Sequence, residues 1–128
     1  MHIRKIILVW IIIITLAGCG GSGGSGRSST AMHTVQYEVS TYSNNPVSIT
    51  YIDEDGKTVE LPSVNITNKS WTYTFSAKNS AHLYLSATLL GESTDIFYTT
   101  IYVDYLNENR MSQKGGAPAV VEFTIPSE

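Results

Sequence analysis

The chain has 128 residues, 42% of them hydrophobic and 15% charged, with a formal net charge of −3. That length holds one compact domain plus an appendage, and the composition excludes both intrinsic disorder and a charge-driven nucleic-acid binder. Part of the apolar content sits in one place, because Ile6 to Leu16 is a run broken only by Thr15 and placed directly after Arg4-Lys5.

A basic start, a short apolar stretch and small residues behind it form the pattern of a secretory signal peptide. The run is about half of the roughly 20 apolar residues that a membrane-spanning helix needs. It ends at Leu16-Ala17-Gly18-Cys19, which resembles the lipobox of bacterial lipoproteins. The resemblance implies that residues 1–18 are cut away and that the Cys19 thiol carries diacylglycerol. The new N-terminus would then be acylated as well, commonly with palmitate. The alternative is an uncleaved signal anchor with an idle thiol. Cys19 is the only cysteine, so lipidation leaves a domain with no disulfide and no thiolate nucleophile. Gly20 stands where many Gram-negative lipoproteins carry a retention aspartate. The resemblance thus implies the cell envelope, and the outer membrane in a Gram-negative host.

Residues 19–32 hold the lipidated cysteine and a Gly/Ser-rich tether, Gly20 to Thr30, that has nothing to bury. From Cys19 to Thr34 such a coil spans about 20–23 Å on average and about 50 Å fully stretched. Removal of residues 1–18 leaves six Lys/Arg against eleven Asp/Glu, a net charge of −5. No basic cluster remains, which argues against nucleic acid or anionic headgroups as partners.

From residue 33 to 126 the pattern has period two. Val35, Tyr37 and Val39 alternate with polar residues, and so do Val47, Ile49 and Tyr51. Ser43 to Pro46 reads as a turn and Asp53-Glu54-Asp55-Gly56 as a hairpin loop, with Thr58 to Leu61 returning. Trp71, Tyr73, Phe75 and Ala77 form an aromatic inner face. Leu83, Leu85, Ala87 and Leu89 form another, as do Phe97, Thr99, Ile101 and Val103, and then Ala119, Val121, Phe123 and Ile125. No long segment has helical period, and β-branched and aromatic residues dominate. About seven strands predict an all-β fold, a single antiparallel β-sandwich of immunoglobulin-like architecture without its cysteines.

Catalytic signatures are sparse. His33 and His82 are far apart in sequence, with no HxH, HExxH or cysteine partner, and read as solvated histidines. No serine lies in GxSxG, and Gly91-Glu92-Ser93 reads as a turn. Asp53 and Asp55, with Gly56 behind them, read first as an acidic hairpin tip with no metal, and are otherwise the candidate oxygen ligands for a loosely held calcium ion. The two sequons, Asn65-Ile66-Thr67 and Asn68-Lys69-Ser70, receive no role in a bacterial lipoprotein. The chain reads as non-enzymatic and cofactor-free.

All eight tyrosines lie between Tyr37 and Tyr105. Tyr84, Tyr98 and Tyr102 fall on strand faces that read as polar, and on neighbouring strands they would form a binding patch for a partner, a glycan or a peptide. Cross-strand pairing that stiffens a solvent-facing sheet is the other reading.

Val35-Gln36-Tyr37-Glu38-Val39, Ile49-Thr50-Tyr51, Asp55-Gly56, Trp71, Phe75, Leu83 to Ala87 and Ile101-Tyr102-Val103-Asp104 resemble, in order, the MmpS-type β-sandwich domain. The resemblance spans residues 35–125. Mycobacterial members are small membrane-anchored accessories of lipid and siderophore exporters, so it implies contact with a membrane transporter or another envelope protein. Those members carry a transmembrane anchor and often a cysteine pair, both missing here. Tyr105 stands where their stretch has glycine.

Overall fold

The computed structural model describes residues 31–127. The lipobox, Cys19 and nearly all of the tether lie outside the described residues. Eight strands follow one another: β1 (Met32–Thr41), β2 (Val47–Ile52), β3 (Thr58–Val64), β4 (Ser70–Lys78), β5 (His82–Leu89), β6 (Ile96–Val103), β7 (Leu106–Lys114) and β8 (Ala119–Thr124). The first strand starts at Met32, one residue before the domain boundary that the sequence suggests. Two antiparallel four-stranded sheets result, ordered β4-β1-β6-β7 and β3-β2-β5-β8, and they enclose one core as a β-sandwich.

Seven of these strands carry the alternation seen in the sequence. The eighth, β7, does not: Leu106-Asn-Glu-Asn-Arg-Met-Ser-Gln-Lys114 is exposed along almost its whole length. It pairs with β6 at the edge of the first sheet, where little apolar surface is buried. The sandwich closes on that side partly by polar bonding, since Asn109 Nδ2 donates to the Glu122 carbonyl of β8 at 2.9 Å. A strand held this way reads in sequence as a loop.

The core is built from the inward positions of both sheets: Val35, Tyr37 and Val39 of β1, Val47 and Ile49 of β2, Leu83 and Leu85 of β5, and Phe97 and Ile101 of β6. Tyr37 is fully buried. Its hydroxyl donates to the Ile52 carbonyl at 2.9 Å and accepts from the Tyr84 N–H at 3.3 Å. Both groups belong to the second sheet, just beyond the last β2–β5 pair, Tyr51 with Leu85. One phenol thus satisfies two backbone groups at a ladder end and ties the first sheet to the second. Around it Phe75 packs edge-on at 5.1 Å and Tyr51 at 5.9 Å, edge-to-face arrangements that aromatic quadrupoles favour.

Removing that hydroxyl leaves a buried carbonyl and an N–H without their partner. Tyr37→Phe is therefore expected to destabilise the domain by about 1–3 kcal/mol, read as a lowered urea midpoint with unchanged slope. A loss below about 0.3 kcal/mol would show that water or a strand shift satisfies the two groups.

Candidate functional site

The register decides which tyrosines share a face. On β6, Phe97, Thr99, Ile101 and Val103 point inward, so Tyr98, Thr100 and Tyr102 lie on the outer face of the first sheet. Their neighbours on β1 are Ser40, Glu38 and Gln36, and on β7 Ser112, Arg110 and Asn107. Tyr84 lies on β5 in the second sheet, opposite Glu122. The structure therefore brings Tyr98 and Tyr102 together and separates Tyr84 from them, correcting the expectation of one three-tyrosine patch. Outward residues of two different sheets point to opposite sides of a sandwich.

The outer face is ordered by side-chain stacking. The Arg110 guanidinium sits 4.4 Å from the centre of the Tyr98 ring, a cation–π contact that holds both side chains flat. Thr100 lies between Tyr98 and Tyr102 along its strand and between Glu38 and Arg110 across it. It is only 1% exposed although it points away from the core, and its hydroxyl has no hydrogen-bond partner. A buried hydroxyl without a partner is uncommon and costs free energy.

A further tyrosine completes this face. Val103 pairs with Leu106, leaving Asp104-Tyr105 as a two-residue hairpin loop with φ of 49° and 67°. Positive φ at both positions is the type I′ geometry that matches strand twist and favours Asn-Gly. An aromatic residue at the second position carries strain, yet Tyr105 is 83% exposed, so no packing of its ring compensates for it. Tyr105 and Tyr102 flank a shallow depression of about 190 Å³ whose other walls are Thr34 and Gln36. Sequence reasoning flagged Tyr105 only as the residue in place of a glycine; the turn type that makes it costly follows from the register.

Asp104 fastens the hairpin tip to the start of β1. Its carboxylate accepts from the Thr34 N–H at 2.9 Å and meets His33 Nδ1 at 2.7 Å, while its own N–H donates to the Thr34 carbonyl at 2.8 Å. The other His33 nitrogen lies 2.6 Å from Asn79 Oδ1 in the β4–β5 turn. His33 is thus a half-buried clamp between two turns, not the solvated side chain that the sequence suggested. The His33 contact, followed by the Thr34 N–H, holds the Asp104 carboxyl below the usual carboxylate range.

The acidic hairpin at Asp53 is a well-bonded turn. Asp53 Oδ1 accepts from the N–H groups of Asp55 and Lys57, both at 2.9 Å, and Gly56 has the left-handed φ of 74°. Glu54 accepts the Tyr73 hydroxyl, which pushes that phenol up to about 12. These carboxylates border a depression of about 530 Å³ at the end of the sandwich, with Phe75, Ala77 and Leu83 on its apolar side. Among the described residues no three His, Cys, Asp or Glu side chains converge as metal ligands. His82 is exposed and lies 3.3 Å from the Thr124 hydroxyl. No helix among the described residues is long and apolar enough to cross a membrane.

Compared with protein-family models and with curated proteins, the chain matches none. The likeness to the MmpS-type domain therefore rests on the residues quoted above.

Two expectations follow from the hairpin tip. Tyr105→Gly relieves the left-handed strain and adds unfolded-chain entropy, for a net gain of about 0.5–1 kcal/mol in thermal or urea unfolding. A loss of stability would mean that the tyrosine ring packs after all. The Asp104 contribution has a definite sign: a depressed folded pKa stabilises above the ordinary carboxylate value of about 3.9 and is lost as pH falls through the lowered value. The urea-midpoint difference between the parent chain and Asp104→Asn should thus shrink between about pH 5 and pH 2. A difference that is flat across that window would contradict the pairing.

Proposed function

We propose that this protein is a lipid-anchored, non-enzymatic envelope protein that works by contact with another envelope protein, with the outer face of its first sheet as the contact surface. The observation that carries the reading is Tyr105: strained, exposed and next to Tyr102, it has a conformational cost with no return within the domain. Retained strain of that kind clusters at functional sites. Tyr102, Tyr105, Tyr98 and its stacked Arg110 supply the residue types that dominate binding energy at protein interfaces. The unpartnered Thr100 hydroxyl adds a buried polar group on the same face. A transport accessory role rests on the MmpS-type resemblance, with a membrane exporter as the partner. A second reading is supported by the depression between Tyr102 and Tyr105, whose Thr34 and Gln36 walls offer hydrogen bonds beside an aromatic ring, a combination suited to a sugar.

The anchor rests on Leu16-Ala17-Gly18-Cys19. Cys19→Ser is expected to abolish incorporation of labelled palmitate and to leave the chain uncut, and unchanged labelling would remove the anchor from the proposal. Affinity capture from membranes with Tyr102→Ala and Tyr105→Gly tests the face. The partner protein should be lost or weakened at least about tenfold, because each side chain stands where central interface residues typically cost 2 kcal/mol or more. Tyr105→Gly separates binding from folding, since it is expected to gain stability while losing the partner. Capture that both substitutions leave intact would move the contact elsewhere, and binding on a glycan array that Tyr102→Ala removes would favour the sugar reading.

A further inference from the structure

The two sides of the sandwich are unlike. On one, β7 and β8 pack against each other, whereas on the other β3 and β4 stand apart. The inward residues of β1, Val35, Tyr37 and Val39, are fully buried, but Trp71, Tyr73 and Phe75 of β4 remain half exposed although they also point inward. On the other edge strand of this side, Val59 and Leu61 of β3 are half-buried too. The core is incompletely covered along this side.

The free edge of β4 also offers unpaired backbone. The Thr41 N–H bonds to the Lys69 carbonyl, which fixes the phase of the β1–β4 ladder: Trp71, Tyr73, Phe75 and Ala77 exchange hydrogen bonds with β1. The N–H and C=O groups of Ser70, Thr72, Thr74 and Ser76 therefore point away from the sheet, and among the described residues nothing pairs with them. Edge strands are commonly blunted by charge, proline or a bulge. β3 has Pro62, Glu60 and a register shift, and β7 has Glu108 and Arg110. β4 has no charge and no proline from Ser70 to Ala77.

We infer that the β4 edge accepts an extended segment of a partner protein as a fifth strand of the first sheet, a surface separate from the tyrosine face. Alternate residues of the added strand that face inward, opposite Trp71, Tyr73 and Phe75, are apolar and cover the half-exposed rings. The ends of the segment are acidic, because Lys78 and Lys69, whose ammonium lies 5.7 Å from the centre of the Tyr42 ring, bracket the edge. The same lysines disfavour a second copy: antiparallel pairing of β4 with itself about Thr74 sets Lys78 of one chain opposite Ser70 of the other, one residue from its Lys69.

The test uses the protein purified from membranes in detergent and carrying Trp10→Phe, so that Trp71 is its only tryptophan whether or not residues 1–18 have been cut away. The probe is a synthetic peptide, Asp-Val-Thr-Val-Thr-Val-Thr-Val-Glu, and a version of it with lysine at both ends. The acidic-ended peptide should change Trp71 fluorescence saturably and slow amide exchange at Thr72, Thr74 and Ser76. Thr74→Pro removes an outward N–H and no ladder bond, so the fold is expected to survive while the peptide binds at least about tenfold more weakly. Ser76→Pro, which likewise removes an outward N–H and no ladder bond, gives the same loss if Thr74→Pro unfolds. Tyr102→Ala should leave peptide binding unchanged, which keeps this edge distinct from the contact face. The inference is overturned if the acidic-ended peptide leaves exchange at those amides unaltered or if the lysine-ended peptide binds as tightly. It is also overturned if the chain dimerises in a way that Thr74→Pro abolishes, which would assign the edge to a second copy.

Discussion

The hydroxyl of Tyr37 is the point at which two sheets become one domain. No disulfide is available, since the single cysteine lies at position 19, before the first strand. Sheets that only pack face to face can slide, because dispersion and apolar burial are weakly directional. A fully buried phenol that donates to Ile52 and accepts near Tyr84 fixes the sheets in one register. Its ring also positions Tyr51 and Phe75, so the aromatic layer and the inter-sheet bond are one device. Burial drives the Tyr37 phenol well above its ordinary pKa, so it remains a neutral donor at and well above neutral pH.

With the interior fixed in that way, the outer face of the first sheet can carry features that cost stability. Thr100 is buried without a hydrogen bond, and Tyr105 adopts a left-handed conformation that glycine would take more readily. Both belong to the β6–β7 hairpin, and Asp104 pins that hairpin to Thr34 and His33 at the start of β1. β1 begins at that same corner, at Met32, so a tether preceding it would join the domain beside the proposed contact face.

Much of the fold is legible in the sequence because burial on one face of a strand imposes period two, and seven strands show it. β7 does not, because an edge strand exposed on both faces has no apolar signal and is held by backbone pairing and by Asn109. The candidate site was less accessible for a related reason. Alternation places Tyr84, Tyr98 and Tyr102 on outward faces but is silent about which sheet each strand joins, and the chain distributes its strands between two sheets. Tyr105 and His33 depend on turn geometry and on contacts across 71 residues of sequence, which periodicity does not encode.

The edges show how one small sandwich can hold two separate contacts. Three of the four edge strands carry conventional protection: proline and a bulge on β3, charge on β7, and β8 held against β7. β4 alone combines outward-pointing backbone with half-exposed aromatic rings, and a free edge of that kind is an aggregation hazard unless something restricts what pairs with it. Lysines at its two ends supply that restriction without touching the ladder, because they repel a like-charged copy and attract an acidic segment. A lipid-anchored chain would need such discrimination more than a free one. Confinement by a tether of about 50 Å or less would raise the effective concentration of neighbours at the membrane, so even weak self-pairing would be amplified. The same confinement would let a single added strand of modest affinity serve as a working contact.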